Sequence, residues 1–265
     1  MKTEELPLIT VITVVFNDVK HIEETMLSVV NQTYPNIEYI IIDGGSTDGT
    51  VGIIKKYADR IAYWVSEPDK GIYDAMNKGV CRATGEWCSF INAGDVFVHE
   101  NIVQSIFESG RCDYDVIYGD TIHIFTSGRF LHKAEDVKVL KRRMPFCHQS
   151  CFVKSLLLKQ YGFDCQYKVA ADYDLFYRLY KQHAYFLKIN KVIAVFDGVE
   201  GVSSSHPELL FQEYFRINGK KKFGFVLKTK IHLFFKKIIG FLPSKIQIQL
   251  FQTYKILFTN YKKVD

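Results

Sequence analysis

Asp95, near the end of the run FINAGDVF, is a lone carboxylate that follows an apolar stretch. Two other polar residues stand in comparable places, Asn17 after LITVITVVF and Asp43 after EYIII. Further on, CQYKVAADYDLFYRLY carries Asp172 and Asp174 where a helical pattern begins, and PFCHQS sets His148 beside Gln149. Such acids can hold a hard cation through oxygen or take a proton from a hydroxyl. Each also has a plain structural use. Asn, Gly and Asp build turns, and an acid in a helix's first turn is favoured by the helix dipole by about 0.3–1 kcal/mol. Residue types alone do not choose between these uses.

The elements that must position them narrow the choice. LITVITVV (8–15) is a β-branched run suited to a strand buried on both faces. Val19, Ile22, Met26, Val29 and Val30 then mark a helix, and EYIIID (38–43) a second strand closing on GGSTDG. Asp48 is placed to cap a helix through Val51, Ile54 and Tyr57. RIAYWV is a third strand, 72–83 a helix, and EWCSFI a fourth strand. Strands alternating with helices across short connections predict a parallel sheet covered by helices. Ligands of such sheets bind beyond the C-terminal strand ends. Asn17, Asp43 and Asp95 fall at three of those ends, so nucleotide binding becomes the leading expectation. Neither GxGxxG after the first strand nor GxxxxGK[ST] anywhere is present. A diphosphate without a backbone cradle needs another counter-charge, which a divalent cation (Mn2+ or Mg2+) at Asp95 supplies.

Composition excludes several classes. Hydrophobic content of 48% and aromatic content of 15% describe a folded globular chain. No apolar run approaches the roughly 20 residues that cross a bilayer. MKTEELPLIT has acids and a proline where a signal peptide has its apolar core, so a cytoplasmic location is expected. Six cysteines without a CxxC pair speak against a zinc ribbon or redox motif and for reduced, mostly buried thiols. Charge is uneven. From Arg216 onward twelve bases face one acid, Asp265, so the remainder is net −6 although the whole chain is +5. The Lys-, Phe- and Ile-rich stretch 220–263 predicts amphipathic helices on either side of Pro243. Basic amphipathic helices suit an anionic membrane surface, each nearby base contributing on the order of 1 kcal/mol; the alternative is a helical hairpin packed on the body. An acidic body argues against a phosphate-tracking, nucleic-acid-binding surface.

ITVVFN, IIIDGGSTDGT, DKGIYDAMNKGVCRATGEWCSFINAGD and AADYDLFYRL together resemble family 2 glycosyltransferases in order and spacing, over roughly residues 8–200. GIYDAMNKG and NAGD are similar to the subgroup of bacterial exopolysaccharide and O-antigen enzymes. The resemblance implies a GT-A (Rossmann-like) α/β fold, with a mostly parallel central sheet flanked by helices. It implies inverting sugar transfer from a nucleotide-sugar, here a UDP-sugar, to a saccharide or lipid-linked acceptor in cell-surface polysaccharide synthesis. By position, Asp43 matches the family aspartate that hydrogen-bonds the base, and Phe16 and Asn17 the aromatic–Asn pair beside base and ribose. Val14 and Val15 stand where relatives carry Pro-Thr, and Met76 where relatives carry arginine. Asp74 and Lys78 are candidates to serve near the nucleotide, or else a solvated helix face, and Lys70 a candidate to approach a phosphate. FINAGD aligns with the family's F-L-D-x-D-D: Asn92 and Gly94 replace two acids and Asp95 keeps the metal-ligand position. Asn92 retains an amide oxygen for a hydrogen bond or the cation. With so little ligand charge, cation and nucleotide are expected to bind cooperatively. ED-x-DL places the catalytic base at Asp172, with Ala171 in the glutamate position. His148 is a candidate for the acceptor or the diphosphate, and the small residues of GVEGVSSS (198–205) suggest a loop over the site.

The expected organisation is a catalytic domain over 1–205, its nucleotide-sugar half about 1–97 and its acceptor half about 98–205. A helical, basic, amphipathic tail (206–265) would seat the protein peripherally at the inner face of the membrane. Two rivals are a sugar-nucleotide nucleotidyltransferase, which usually has a basic phosphate loop that ITVVFNDVK lacks, and a non-catalytic nucleotide-sugar- or membrane-binding module.

Overall fold

In the computed structural model, residues 6–108, 113–198, 207–219 and 261–264 are described. Four parallel strands form the nucleotide-side half of the sheet: β1 (Ile9–Val15), β2 (Ile37–Asp43), β3 (Tyr63–Ser66) and β4 (Trp87–Phe90), in the order β4-β1-β2-β3. All seven residues of β1 are buried, which is why its run is continuously apolar or Thr rather than alternating. Period-2 geometry sends Ile12 and Val14 into one core and Ile9, Val11 and Val15 into the other. Pairing of Val15 with Asp43, and of Asp43 with Ser66, brings those strand ends level. Helices α1 (Ile22–Val30) and α2 (Thr50–Lys56) follow β1 and β2, and α3 (Ile72–Arg82) follows β3. A Cβ on Gly79 of α3 would sit 2.5 Å from Ile12 Cγ2, so the missing side chain lets the helix lie directly on β1.

The acceptor-side half is antiparallel at its junction. After β5 (Val96–Phe97) and α4 (Ile102–Phe107) come β6 (Val116–Phe125), β7 (Gly128–His132), β8 (Cys151–Lys154), α5 (Ser155–Tyr161), α6 (Ala171–Lys181) and β9 (Phe186–Asp197). β8 joins β4 antiparallel, β6 joins β8 antiparallel, and β9 runs parallel to β6. β9 also pairs with β5, Val96 opposite Val195, which draws the end of β9 up to the loop carrying Asp95.

The C-terminal region begins as expected, with a helix, and departs from expectation at its end. Helix α7 (Pro207–Asn218) packs on the body, with the Tyr214 and Tyr173 rings 4.3 Å apart and Arg216 Nη2 donating to Gln166 Oε1. Residues 261–264 are not helical: they form β10 (Tyr261–Val264), antiparallel to β7 with Tyr261 opposite His132. The described parts of the tail, a helix and a short strand, both pack on the body. Most of the basic segment, 220–260, lies outside the described residues, as do 199–205 of the small-residue loop. Among the described residues no helix is long and apolar enough to cross a membrane, and five cysteines are free thiols.

Candidate active site

A cleft of about 680 Å³ opens at the C-terminal ends of β1 and β4. Of the expected residues it gathers Phe16, Asn17, Asn92, Asp95, His148 and Asp172; Asp43, Lys70 and Asp74 do not line it. Each exclusion has a local cause. Asp43 is 0% exposed. Its Oδ1 accepts from Ser46 Oγ, and its Oδ2 accepts from Gly45 N, Ser46 N and Ser66 Oγ. The carboxylate is taken up in shaping the Gly-rich turn, so in this structure the acid builds the loop rather than lining the cleft. Asp48 acts likewise, accepting from Thr50 N and from Val19 N. Asp74 accepts the Lys70 backbone N–H at 3.0 Å and closes the turn before α3, while Lys78 pairs with Glu67 at 2.8 Å.

Asn17 takes a left-handed conformation (φ 50°), Oδ1 accepting from Thr47 N and its own N–H donating to Ser46 Oγ. That stitch fixes the end of β1 to the turn after β2. Phe16 beside it is 62% exposed, a ring left facing the cleft.

Asp95 is 3% exposed. Its Oδ2 accepts from Gln149 Nε2 at 2.8 Å and its Oδ1 from the Asp197 N–H at 3.0 Å. Burial pushes its carboxyl up to about 7, against those two hydrogen bonds, which pull the other way. Asp172 sits in the first turn of α6, where Oδ1 accepts from Tyr173 N at 2.8 Å and from Tyr73 Oη at 3.3 Å. Its Oδ2 lies 3.5 Å from His148 Nδ1. His148 Nε2 in turn lies 3.2 Å from Asn92 Nδ2. With Asn92 donating to Nε2, the other ring nitrogen, Nδ1, is the one that faces Asp172. Two consecutive residues of one 3-10 turn, His148 and Gln149, thus hold the two acids of the site, one each. Asp174 turns away to Arg178 at 2.7 Å, and Arg178 also bonds the Tyr161 and Gly162 carbonyls. Of the two acids on α6, only Asp172 meets the cleft.

Two supports escaped the sequence reading. Glu213 of α7, 6% exposed, accepts the N–H groups of Lys168, Val169 and Ala170, the three residues leading into α6. Asp197, at the end of β9, lines the cleft with Asp18. A Cβ on Gly94 would lie 3.8 Å from Asp197 Oδ2 and 3.9 Å from Asp18 Oδ2. Two carboxylates from other elements thereby flank the position where relatives carry an acid.

The donor set suits a cation that arrives with other ligands. Among the described residues no three His, Cys, Asp or Glu side chains stand close enough to cage a metal. Asn92 Oδ1, on a residue 7% exposed, has no hydrogen-bond partner. That amide oxygen and the second lone pairs of the Asp95 oxygens are hard donors, too few alone for a six-coordinate ion.

Known proteins are similar to this chain in sequence and fold. The chain is 35% identical over 179 residues to an uncharacterized glycosyltransferase of Mycobacterium tuberculosis, covering 65% of this chain and 68% of that one. S. aureus TarS (residues 1–349, in complex with UDP) superposes with a TM-score of 0.63 at 19% identity, over 80% of this chain and 64% of that chain's length. The mannosyltransferase PcManGT of Pyrobaculum calidifontis, solved with GDP-Man and Mn2+, gives 0.57 at 20% identity, over 72% and 56%. These two neighbours share the GT-A type of curled, mostly parallel sheet flanked by helices. The family model for "Glycosyl transferase family 2" matches residues 10–186, from within β1 to the start of β9, and the chain belongs to that family.

Proposed function

We propose that the protein transfers a sugar with inversion from a UDP-sugar to a hydroxyl of a saccharide or lipid-linked acceptor in cell-surface polysaccharide synthesis. The observation that carries this reading is the pair of acids Asp95 and Asp172 in one cleft, each held by a neighbour in the His148–Gln149 turn. Phe16 and Asn17 at the end of β1 set the nucleotide side. Asp172 takes the acceptor's proton as that oxygen bonds the anomeric carbon and the bond to the diphosphate breaks. Tyr73 and the Tyr173 N–H hold Oδ1, leaving Oδ2 toward His148 and the cleft. Displacement in line with attack inverts the anomeric centre without a covalent enzyme intermediate.

Asp95 and Asn92 would hold a divalent cation together with the diphosphate, and that ion, when bound, offsets the charge gathering on the leaving group. The test is release of nucleoside diphosphate from a panel of nucleotide-sugars with saccharide acceptors. Release should stop with EDTA and return with Mn2+ or Mg2+; undiminished release in EDTA would remove the cation from the mechanism.

The basic segment is the proposed contact with an anionic membrane surface, placing a cytoplasmic enzyme peripherally at the inner face. Deleting 220–260 should abolish co-sedimentation with vesicles rich in anionic lipid. Equal binding by the deleted protein would leave the segment without that role.

A further inference from the structure

Asp43 is sealed under its own turn, yet the residue after it points to another acid. A Cβ on Gly44 would lie 2.5 Å from Asp69 Oδ2 and 3.3 Å from Phe16 Cδ2. Gly44 has no left-handed φ to require glycine; the space its side chain would fill is taken by the Asp69 carboxylate. Asp69, in the segment EPDKG between β3 and α3, therefore reaches across to the end of β2 and lines the cleft beside Phe16. Its Oδ1 is fixed by the Gly71 N–H at 2.8 Å. Among the described residues Oδ2 accepts no hydrogen bond and has no cation within 4 Å; Lys78 feels the Asp69 charge but pairs with Glu67. The cleft thus presents, side by side, a ring 62% exposed and a positioned carboxylate oxygen with its lone pairs open.

Together these select a flat heterocycle that stacks on the ring and gives an in-plane N–H to the oxygen. We propose that Asp69 reads the nucleobase of the donor and restricts it to bases with a ring N–H on the pairing edge, uracil (with its 5-methyl form, thymine) and guanine. Uracil N3–H or guanine N1–H meets the carboxylate directly. Cytosine and adenine carry a ring nitrogen lone pair there, which faces the carboxylate lone pairs, and offer only an exocyclic amino group beside it. Asp43 then serves indirectly, by curling the turn so that Gly44 leaves room for Asp69. The inference rests on the nucleotide-sugar reading above and adds which side chain sets the base.

Titration calorimetry with UDP, GDP, CDP and ADP in the presence of Mn2+ tests it on the full-length protein and on Asp69→Asn. The wild type should bind UDP or GDP at least about tenfold more tightly than CDP and ADP, the size of one charge-assisted hydrogen bond. Asp69→Asn keeps an oxygen for the Gly71 N–H and can turn its amide donor to a ring nitrogen. It should lose about tenfold toward UDP or GDP and close the gap to CDP. An unliganded melting temperature within about two degrees of wild type shows that the turn is intact, and Asp69→Glu, which moves the oxygen, should weaken UDP without admitting CDP. Unchanged base preference in Asp69→Asn overturns the assignment to Asp69 and leaves the nucleotide-sugar reading standing. Absence of binding to all four nucleotides by the wild type overturns both.

Discussion

Asp172→Asn should slow sugar transfer by about 10²–10⁴-fold, the usual worth of a positioned general base, with little change in donor affinity. The expectation follows from what the side chain touches. Oδ1 is engaged by Tyr73 and the Tyr173 N–H, and Oδ2 lies toward His148. Asparagine can keep the Oδ1 contacts, because its oxygen still accepts. Its Nδ2 would meet His148 Nδ1, which accepts once the tautomer reverses and the Asn92 amide flips to accept from Nε2, so the fold of this corner survives. What disappears is the proton acceptor. Loss should therefore fall on kcat, with the KM for the nucleotide-sugar nearly unchanged, since the nucleotide side is built from β1 and the β3–α3 segment. His148→Ala removes the side chain facing Oδ2 without removing the base and should cost less, on the order of tenfold. An Asp172→Asn protein that retains more than a tenth of wild-type transfer would show that another group takes the proton.

Residue patterns revealed the parallel half of this fold well and the rest incompletely, for physical reasons. β1 and β2 are buried on both faces, a burial only β-branched and apolar runs tolerate, so their positions and level ends could be read directly. Residue types marked Asp95 and Asp172 only as candidates, the resemblance chose them, and the fold brings both to one cleft. Which way a carboxylate turns was not legible. Asp43 is drawn under the turn by Ser46 and by Ser66 from the neighbouring strand, and Asp69 is brought beside Gly44 from 25 residues further along the chain. No local pattern encodes either contact. Glu213 shows the same limit: read along the chain it belongs to a tail, yet it anchors the three N–H groups ahead of the catalytic helix. Basic composition after Arg216 marked a distinct stretch of sequence but gave no sign that Tyr261 returns to the sheet and the cleft.

Asp95→Asn should produce an inactive protein that is more stable than its parent at alkaline pH in the absence of divalent cation. Ionising a carboxyl that is 3% exposed is costly, and burial moves its midpoint from about 3.9 in the unfolded chain up to about 7 in the fold. The sign follows from linkage. Below pH 4 the acid is protonated in both states and contributes no difference. Between 4 and 7 the unfolded chain has released its proton while the folded one retains it, so stability falls as pH rises. Above 7 the whole cost is present, on the order of a few kcal/mol. Asparagine removes that cost but turns an N–H₂ toward either Gln149 Nε2 or the Asp197 N–H, losing one hydrogen bond worth about 1–3 kcal/mol. The net gain is about 1 kcal/mol, or roughly 2–4 °C in melting temperature at this size. The advantage should appear at pH 8 and vanish, or reverse, at pH 5. Added Mn2+ with nucleoside diphosphate should raise the melting temperature of the wild type and leave the variant unmoved, because the charge that strains the empty fold is the one proposed to hold the ion. A variant melting below wild type at pH 8 would mean that Asp95 is tied into the fold by more than these two hydrogen bonds, and that its burial serves structure rather than the cation.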